Sequence, residues 1–184
     1  MDAAPATVWT IGHSTRTREE FLALLEAYAI QALADVRRFP GSRRCPWFAG
    51  EALALDLAAV GIEYRWLPQL GGRRRVRTGS PNGGWRNASF QGYADHLDSD
   101  EFAEGMAQLL ELAARRRTAI MCAEAVWWRC HRALIADVLK LRGIEVVHIL
   151  GAAHAQEHRY SAAAQVRDGR LSYPPPQPDL LAGN

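Results

Sequence analysis

The sequence predicts an α/β fold of three layers, a mainly parallel sheet of about five strands with helices on both faces. Short β-prone runs alternate in order with stretches of helical period, and turn or capping residues punctuate the boundaries. The chain has 184 residues, 48% hydrophobic and 23% charged, enough for one buried core and too few for two full domains. It is therefore expected to be a single domain, with a core over about residues 8–150 and a tail over 151–184.

Val8 to Ile11 form a β-prone run ended by Gly12, and Thr17 then precedes Glu19 and Glu20 at the head of a periodic stretch through Tyr28. Ile30 to Val36 is the second expected strand. The stretch RRFPGSRRCPWFAG, broken by Pro40, Gly41 and Pro46, follows as a long irregular loop. A helix is expected from about Glu51 to Val60, stopping at Gly61, and a third strand from Ile62 to Leu67. Pro68 to Tyr93 carries Gly71, Gly72, Gly83 and Gly84 and no sustained period, which predicts a second long loop with at most short helices. Ser99, Asp100 and Glu101 open a helix to about Arg116 that carries Phe102, Met106, Leu109 and Leu112 on one face. Thr118 to Cys122 is the fourth strand. A helix then starts at Cys130 or His131 with Gly143 as its C-terminal stop, and Glu145 to Leu150 is the fifth strand. In the tail, Asp168 and Gly169 suit a hairpin turn, and PPPQP an extended surface segment.

No run of about 18 apolar residues is present, so no membrane span is expected. The first residues, MDAAPATVWTIGHS, have neither the basic flank nor the apolar stretch of a signal peptide, and a cytoplasmic address is the default expectation. Three cysteines, Cys45, Cys122 and Cys130, argue against a disulfide framework and leave thiol chemistry, metal ligation or plain burial.

The net charge of +2 conceals a basic middle third. Arg37, Arg38, Arg43, Arg44, Arg65, Arg73, Arg74, Arg75, Arg77 and Arg86 are opposed there only by Glu51, Asp56 and Glu63. Such a run is either a solvated face or a patch for phosphate or carboxylate, which the guanidinium fork grips with two bonds. Trp85, Phe90 and Tyr93 nearby are candidate stacking surfaces for a nucleotide or single-stranded nucleic acid, unless they belong to the core.

Parallel sheets hold ligands beyond the carboxyl ends of their strands, where strand order reverses. That rule selects the loops GHSTR, DVRRFPGSRR, LGGRRR and CAEAVWWRCHR. The candidates for chemistry are His13, Cys122, Glu124 and His131. Those for holding substrate are Ser14, Arg16, Asp35, Arg37, Arg43, Arg73, Tyr93 and Arg132. Cys122 stands at a strand end before a helix whose amides would favour a thiolate, but the interval to Arg129 contains two tryptophans and no glycine, unlike a phosphate-cradling loop. Cys122, Cys130 and His131 are also the right ligand types for zinc or iron, with Cys45 or His13 as a fourth, although their spacing matches no standard motif. Asp35 with Arg37 reads equally as a structural pair or a clamp. His96, His148, His154 and His158 have no such neighbours in the sequence and are expected at the surface or in packing.

Taken together, TIGHSTR, DVRRFPGSRR, GIEYRWLPQLGGRRR, FQGYADHL and MCAEAVWWRCHRALIADVL resemble a bacterial family known as domain of unknown function 488, from about Thr10 to Ile149. The resemblance implies a shared α/β fold and a shared site made of His13, Ser14, Arg16, Asp35, Arg37, Pro40, Ser42 and Arg43, then Leu70, Gly71, Gly72 and Tyr93, and finally Cys122, Glu124, Cys130, His131 and Arg132. It implies no reaction and no particular cofactor. The tail after His154 departs from the family's pattern. The leading expectation is an enzyme, a hydrolase or transferase, acting on a phosphate-bearing nucleotide or nucleic acid. Arg37, Arg73 and Arg132 would hold the anion, His13 or Glu124 would move the proton, and Cys122 or Cys130 would serve as thiolate or ligand. The alternatives are a non-catalytic module for nucleic acid or another anion, and a thiol- or metal-dependent redox protein.

Overall fold

A computed structural model describes residues 7–176. Its central sheet has six strands in the order β3-β2-β4-β1-β5-β6. They are β1 (Thr7–Gly12), β2 (Ala32–Asp35), β3 (Glu63–Trp66), β4 (Thr118–Cys122), β5 (Glu145–Gly151) and β6 (His154–Glu157). The first five pair in parallel, as expected, and β6 adds an antiparallel edge to β5. All four residues of β6 are exposed, so no apolar alternation marks this sixth strand in the sequence. The hairpin expected at Asp168 and Gly169 is present as β7 (Gln165–Arg167) and β8 (Arg170–Ser172). Pro174 to Pro176 has no regular structure, and the rest of PPPQP lies outside the described residues.

Among the described residues five α-helices cover the sheet: α1 (Arg18–Ala27), α2 (Gly50–Ala59), α3 (Ala88–His96), α4 (Asp100–Arg115) and α5 (Arg132–Leu141). Thr17 and Glu20 close a capping box on α1, the Thr17 hydroxyl accepting from the Glu20 amide at 3.1 Å and the Glu20 carboxylate from the Thr17 amide at 2.8 Å. Ser99 caps α4, whose Phe102, Met106, Leu109 and Leu112 are buried. Gly143, at φ +77°, ends α5.

Helix α3 is a short helix at the end of the long loop expected over Pro68 to Tyr93, and it runs three residues past Tyr93. Asn87 caps it, accepting from the Ser89 amide at 2.8 Å. Gly92 stands inside the helix because a Cβ there would run into the carbonyl of Arg74; close packing explains this glycine, not a break. From α3, Asp95 ties down the loop before it, accepting from the Arg77 amide at 2.8 Å, Ser80 at 2.6 Å and Asn82 at 2.8 Å.

Alternate strand residues divide the core in two. Trp9, Ile11, Leu33, Met121 and Ile149 pack with Phe21 and Leu25 of α1 and Leu53 and Leu57 of α2. Val8, Ala34, Ile120 and Val146 pack on the other face with Tyr93 of α3, Met106 and Leu109 of α4, and Leu134 and Ile135 of α5. Right-handed crossovers require this segregation: the chain moves one way across the sheet through α1 and α2, then returns through α3, α4 and α5. Strand β4 consequently sits between β1 and β2, whose following helices lie on the opposite face from its own. The loops diverge on both sides of β4, and a crevice opens at its carboxyl end.

No helix among the described residues is long and apolar enough to cross a membrane.

Candidate functional site

That crevice is a cavity of about 400 Å³, walled by His13, Arg37, Arg38, Phe39, Gly41, Ser42, Gly72, Arg73, Cys122, Ala123, Glu124 and His131. The loops meet here because the β1–β4 pairing runs one step past the strands, the His13 amide donating to the Cys122 carbonyl and the Ser14 amide to the Ala123 carbonyl, both at 2.9 Å.

His13 is 5% exposed, with its ring stacked on Phe48 at 4.3 Å. Its Nδ1 lies 2.8 Å from the Ser14 carbonyl, which can only accept, so Nδ1 carries the proton. Nε2 is then an unprotonated acceptor, 3.4 Å from Nη1 of Arg37. Burial, aided by the Arg37 charge, lowers the pKa of His13 to about 4, so the ring is neutral at pH 7.

Asp35 is fully buried beneath Arg37 and receives its Nε at 2.9 Å, its Nη2 at 2.6 Å and the Tyr64 hydroxyl at 2.7 Å. Burial opposes the Arg37 charge, but Asp35 outweighs it and the guanidinium pKa is raised. Burial and the same carboxylate push the Tyr64 phenol upward. Asp35 is thus the support of Arg37 and not part of the cavity wall.

The loop after β4 carries a sulfur and imidazole cluster. The ligand atoms of Cys122, Cys130 and His131 all lie within 4.8 Å of one another. His131 donates from Nε2 to the Val36 carbonyl at 2.9 Å, which turns Nδ1 toward the sulfurs, 4.0 Å from that of Cys122 and 3.7 Å from that of Cys130. The ring is backed by Tyr93, whose centroid is 5.0 Å away and whose hydroxyl is fixed to the Leu70 carbonyl at 2.6 Å. The Arg132 amide, the first of α5, reaches the Cys130 sulfur at 3.5 Å. Hydrogen bonding to Cys130 and burial push the Cys122 thiol well up. Burial alone would raise Cys130 too, but the Cys122 thiol, His131 and Arg132 hold it well below the ordinary thiol range.

Arg132 is 1% exposed and lies behind this wall. One Nη donates to the Glu124 carbonyl at 2.6 Å and the other to the Thr10 hydroxyl at 3.2 Å. From Thr10 a buried chain continues to His148 Nδ1 at 2.7 Å, from His148 Nε2 to His158 Nδ1 at 2.9 Å, and from His158 Nε2 to Asp137 at 2.8 Å. Asp137 also receives the Tyr173 hydroxyl at 2.9 Å and the Ser161 amide at 2.9 Å. With each donor pointing the same way, the chain runs from guanidinium to carboxylate, and burial keeps the His148 ring neutral. His148 and His158 are therefore members of a polar network; their sequence surroundings, apolar for His148, carry no sign of it. His96 is buried against the Gln69 carbonyl at 2.8 Å, and His154 is exposed as expected.

The structure brings together His13, Arg37, Arg73, Cys122, Glu124 and His131 of the candidates with Ser42 and Gly72 of the residues implied by the resemblance, adds Arg38 and Phe39, and leaves others outside the wall. Arg16 braces the Gly12 and Leu150 carbonyls at 2.8 and 3.3 Å. Ser14 is half-buried at φ +50°, and Arg43 is exposed away from the cavity. Arg74 is held by Glu101 at 2.7 Å, whereas Arg73 faces the cavity. Cys45 packs in the core on the α1 and α2 side, so the expected fourth ligand is not there: among the described residues the cluster comprises Cys122, Cys130 and His131. Trp85 and Phe90 stack on one another at 4.9 Å and Tyr93 is buried, so the open aromatic surface of the site is Phe39, 65% exposed. An apolar residue flanked by Arg38 and Pro40 in a glycine-containing loop was the available signal for it.

A family model described as "Domain of unknown function DUF488" matches residues 17–139. No curated protein and no solved structure gave a match. The matched segment runs from the cap of α1 into α5 and includes every cavity residue except His13. With well over half of its length matched, the chain belongs to the DUF488 family.

Proposed function

We propose that the cavity is the active site of an enzyme that hydrolyses or transfers a phosphate-bearing group of a nucleotide or nucleic acid. The observation that carries this reading is the pairing of two unlike walls. On one, Arg37, Arg38 and Arg73 present guanidinium groups; on the other stand His13, Glu124 and Cys122. Among the described residues neither Arg38 nor Arg73 forms an ion pair, so both charges are available to an anion. Arg37 is neutralised by Asp35 and contributes direction more than net charge. Phe39 offers a face on which a base stacks.

In this reading Arg38 and Arg73 hold the phosphate, and His13 Nε2 accepts a proton from the attacking hydroxyl or water. Glu124, exposed at the opposite lip, returns one to the leaving group. Arg132, first expected to touch the anion, instead fixes the loop that carries Glu124.

The test is a screen of nucleotides and short single-stranded oligonucleotides that scores phosphate release and strand cleavage with multiple turnover. Replacing His13 with Ala or Glu124 with Gln should cost about 100-fold or more in kcat, and removing Arg73 should raise KM. Binding without product would assign the cavity to a non-catalytic module. Unchanged kinetics in all three variants would refute the roles of His13, Glu124 and Arg73.

A further inference from the structure

We propose that Cys122, Cys130 and His131 bind one zinc ion, with its fourth coordination position open to the cavity. This goes beyond the reaction proposed above and does not depend on the substrate being a phosphate.

The argument begins with distance. Ligands of a tetrahedral zinc, with Zn–S of about 2.3 Å and Zn–N of about 2.0–2.1 Å, stand about 3.6 Å apart. His131 Nδ1 lies 3.7 Å from one sulfur and 4.0 Å from the other, and all three ligand atoms lie within 4.8 Å of one another, so shifts of about 1 Å or less close the set around an ion. A single nitrogen lone pair faces both sulfurs at the long end of hydrogen-bonding distance and can accept from only one of them well. It does satisfy the geometry of a shared cation.

The surroundings match what metal-bound groups require. A ligating imidazole donates its other N–H to a fixed acceptor; here Nε2 donates to the Val36 carbonyl at 2.9 Å. A ligating thiolate needs donors of its own, and the Arg132 amide at the positive end of α5 lies 3.5 Å from the Cys130 sulfur. Gly72 covers the imidazole with no side chain, since a Cβ there would come within 2.9 Å of Nδ1. Two sulfurs and one nitrogen select zinc over magnesium, calcium or manganese, which take oxygen.

The fourth position follows from placement. Cys130 is enclosed, whereas Cys122 and His131 line the cavity, so the side of the ion without a protein ligand faces Arg37, Arg73 and His13. Three protein ligands and one open place, taken by water or a substrate oxygen, is the pattern of zinc sites that do chemistry; sites that only hold a fold are closed by a fourth side chain. Binding the ion releases the thiol protons to solvent.

The experiment is a cobalt(II) titration of the reduced, untagged full-length chain, followed by displacement with zinc(II). The expected result is one equivalent of cobalt with a thiolate-to-cobalt charge-transfer band, abolished by zinc. The Cys45→Ser variant should behave as wild type. Cys122→Ser combined with Cys130→Ser should lose the band, and Gly72→Ala, which leaves every ligand in place, should weaken binding about 10- to 100-fold. In the unsubstituted chain, zinc should protect Cys122 and Cys130 from alkylation, read peptide by peptide, which needs no variant to fold. The proposal is overturned by absence of the band in reduced protein, by its survival in the double variant, or by alkylation of both cysteines at the same rate with and without zinc. A Cys122–Cys130 disulfide formed in air by a chain that binds no cobalt when reduced also overturns it.

Discussion

The ring of His148 lies flat against that of Trp127, with centroids 4.3 Å apart and planes 5° from parallel. This contact joins the loop after β4 to the buried chain that ends at Asp137. The loop that carries Glu124 and His131 of the cavity wall is therefore held from behind by groups in β1, β5, α5 and the segment beyond β6.

Asp137 should be the least replaceable member of that chain. Asn at this position presents an NH2 group to donors that need an acceptor, and the expected cost is about 2–4 kcal/mol. Tyr173→Phe removes one donor and should cost about 1–2 kcal/mol. Urea unfolding at pH 7 measures both; an Asp137→Asn midpoint equal to wild type would mean the chain adds nothing to stability.

Acid should weaken the fold through the same histidine. Burial, then the charges of His158 and Arg132, lower the His148 pKa from the ordinary 6.5 to about 2. Because the folded value is the lower one, this contribution is full above about pH 6.5, and it is lost as pH falls and the unfolded chain takes up the proton first. The slope is about 1.4 kcal/mol per pH unit for each such group below pH 6. His13, lowered to about 4, acts in the same direction. A His148→Asn variant should be less stable at pH 7.5 and lose less between pH 7.5 and 5. Wild-type protein as stable at pH 5 as at 7.5 would contradict this.

The Asp35–Arg37 pair should reveal its coupling in a double-mutant cycle. Asp35→Ala leaves the Arg37 guanidinium without its carboxylate and should cost about 3–5 kcal/mol. Arg37→Met made alongside should recover a large part of that loss. Additive effects, measured by denaturant unfolding, would show that the two side chains do not depend on each other.

Salt should report on the arginines. If Arg38 and Arg73 meet phosphates of a single strand, log Kd should rise with log salt with a slope of about 1.4, a loss of about 7-fold between 50 and 200 mM. Arg73→Ala should lower that slope by about 0.7. Fluorescence anisotropy of a labelled oligonucleotide reads both, and a slope near zero would remove phosphate from the interaction.

The parallel strands were legible because their apolar runs have definite ends; β4 begins and stops at the residues expected. Segments that lack an apolar signature were not. β6 is wholly exposed, and α3 contains a glycine whose reason lies in the backbone of Arg74. The cavity was legible as loops, since sheet topology alone brings the ends of β1, β2 and β4 together. Which side chains face it was not, because Arg73 and Arg74 are adjacent in sequence and only the first faces the cavity, the second turning onto Glu101. The network of His148, His158 and Asp137 joins residues far apart in the chain, and no local pattern records such a meeting.

The placement of β4 between β1 and β2 has a consequence for how this protein can be altered. Residues 13–73 supply the arginines, Phe39 and His13; residues 122–131 supply the sulfur and imidazole cluster and Glu124. The halves are stitched where His131 meets Val36 and Gly72. Neither half carries the site by itself. A chimera of two relatives that exchanges the loop after β2 must exchange the loop after β4 with it, and the unit of inheritance for this site is the pair.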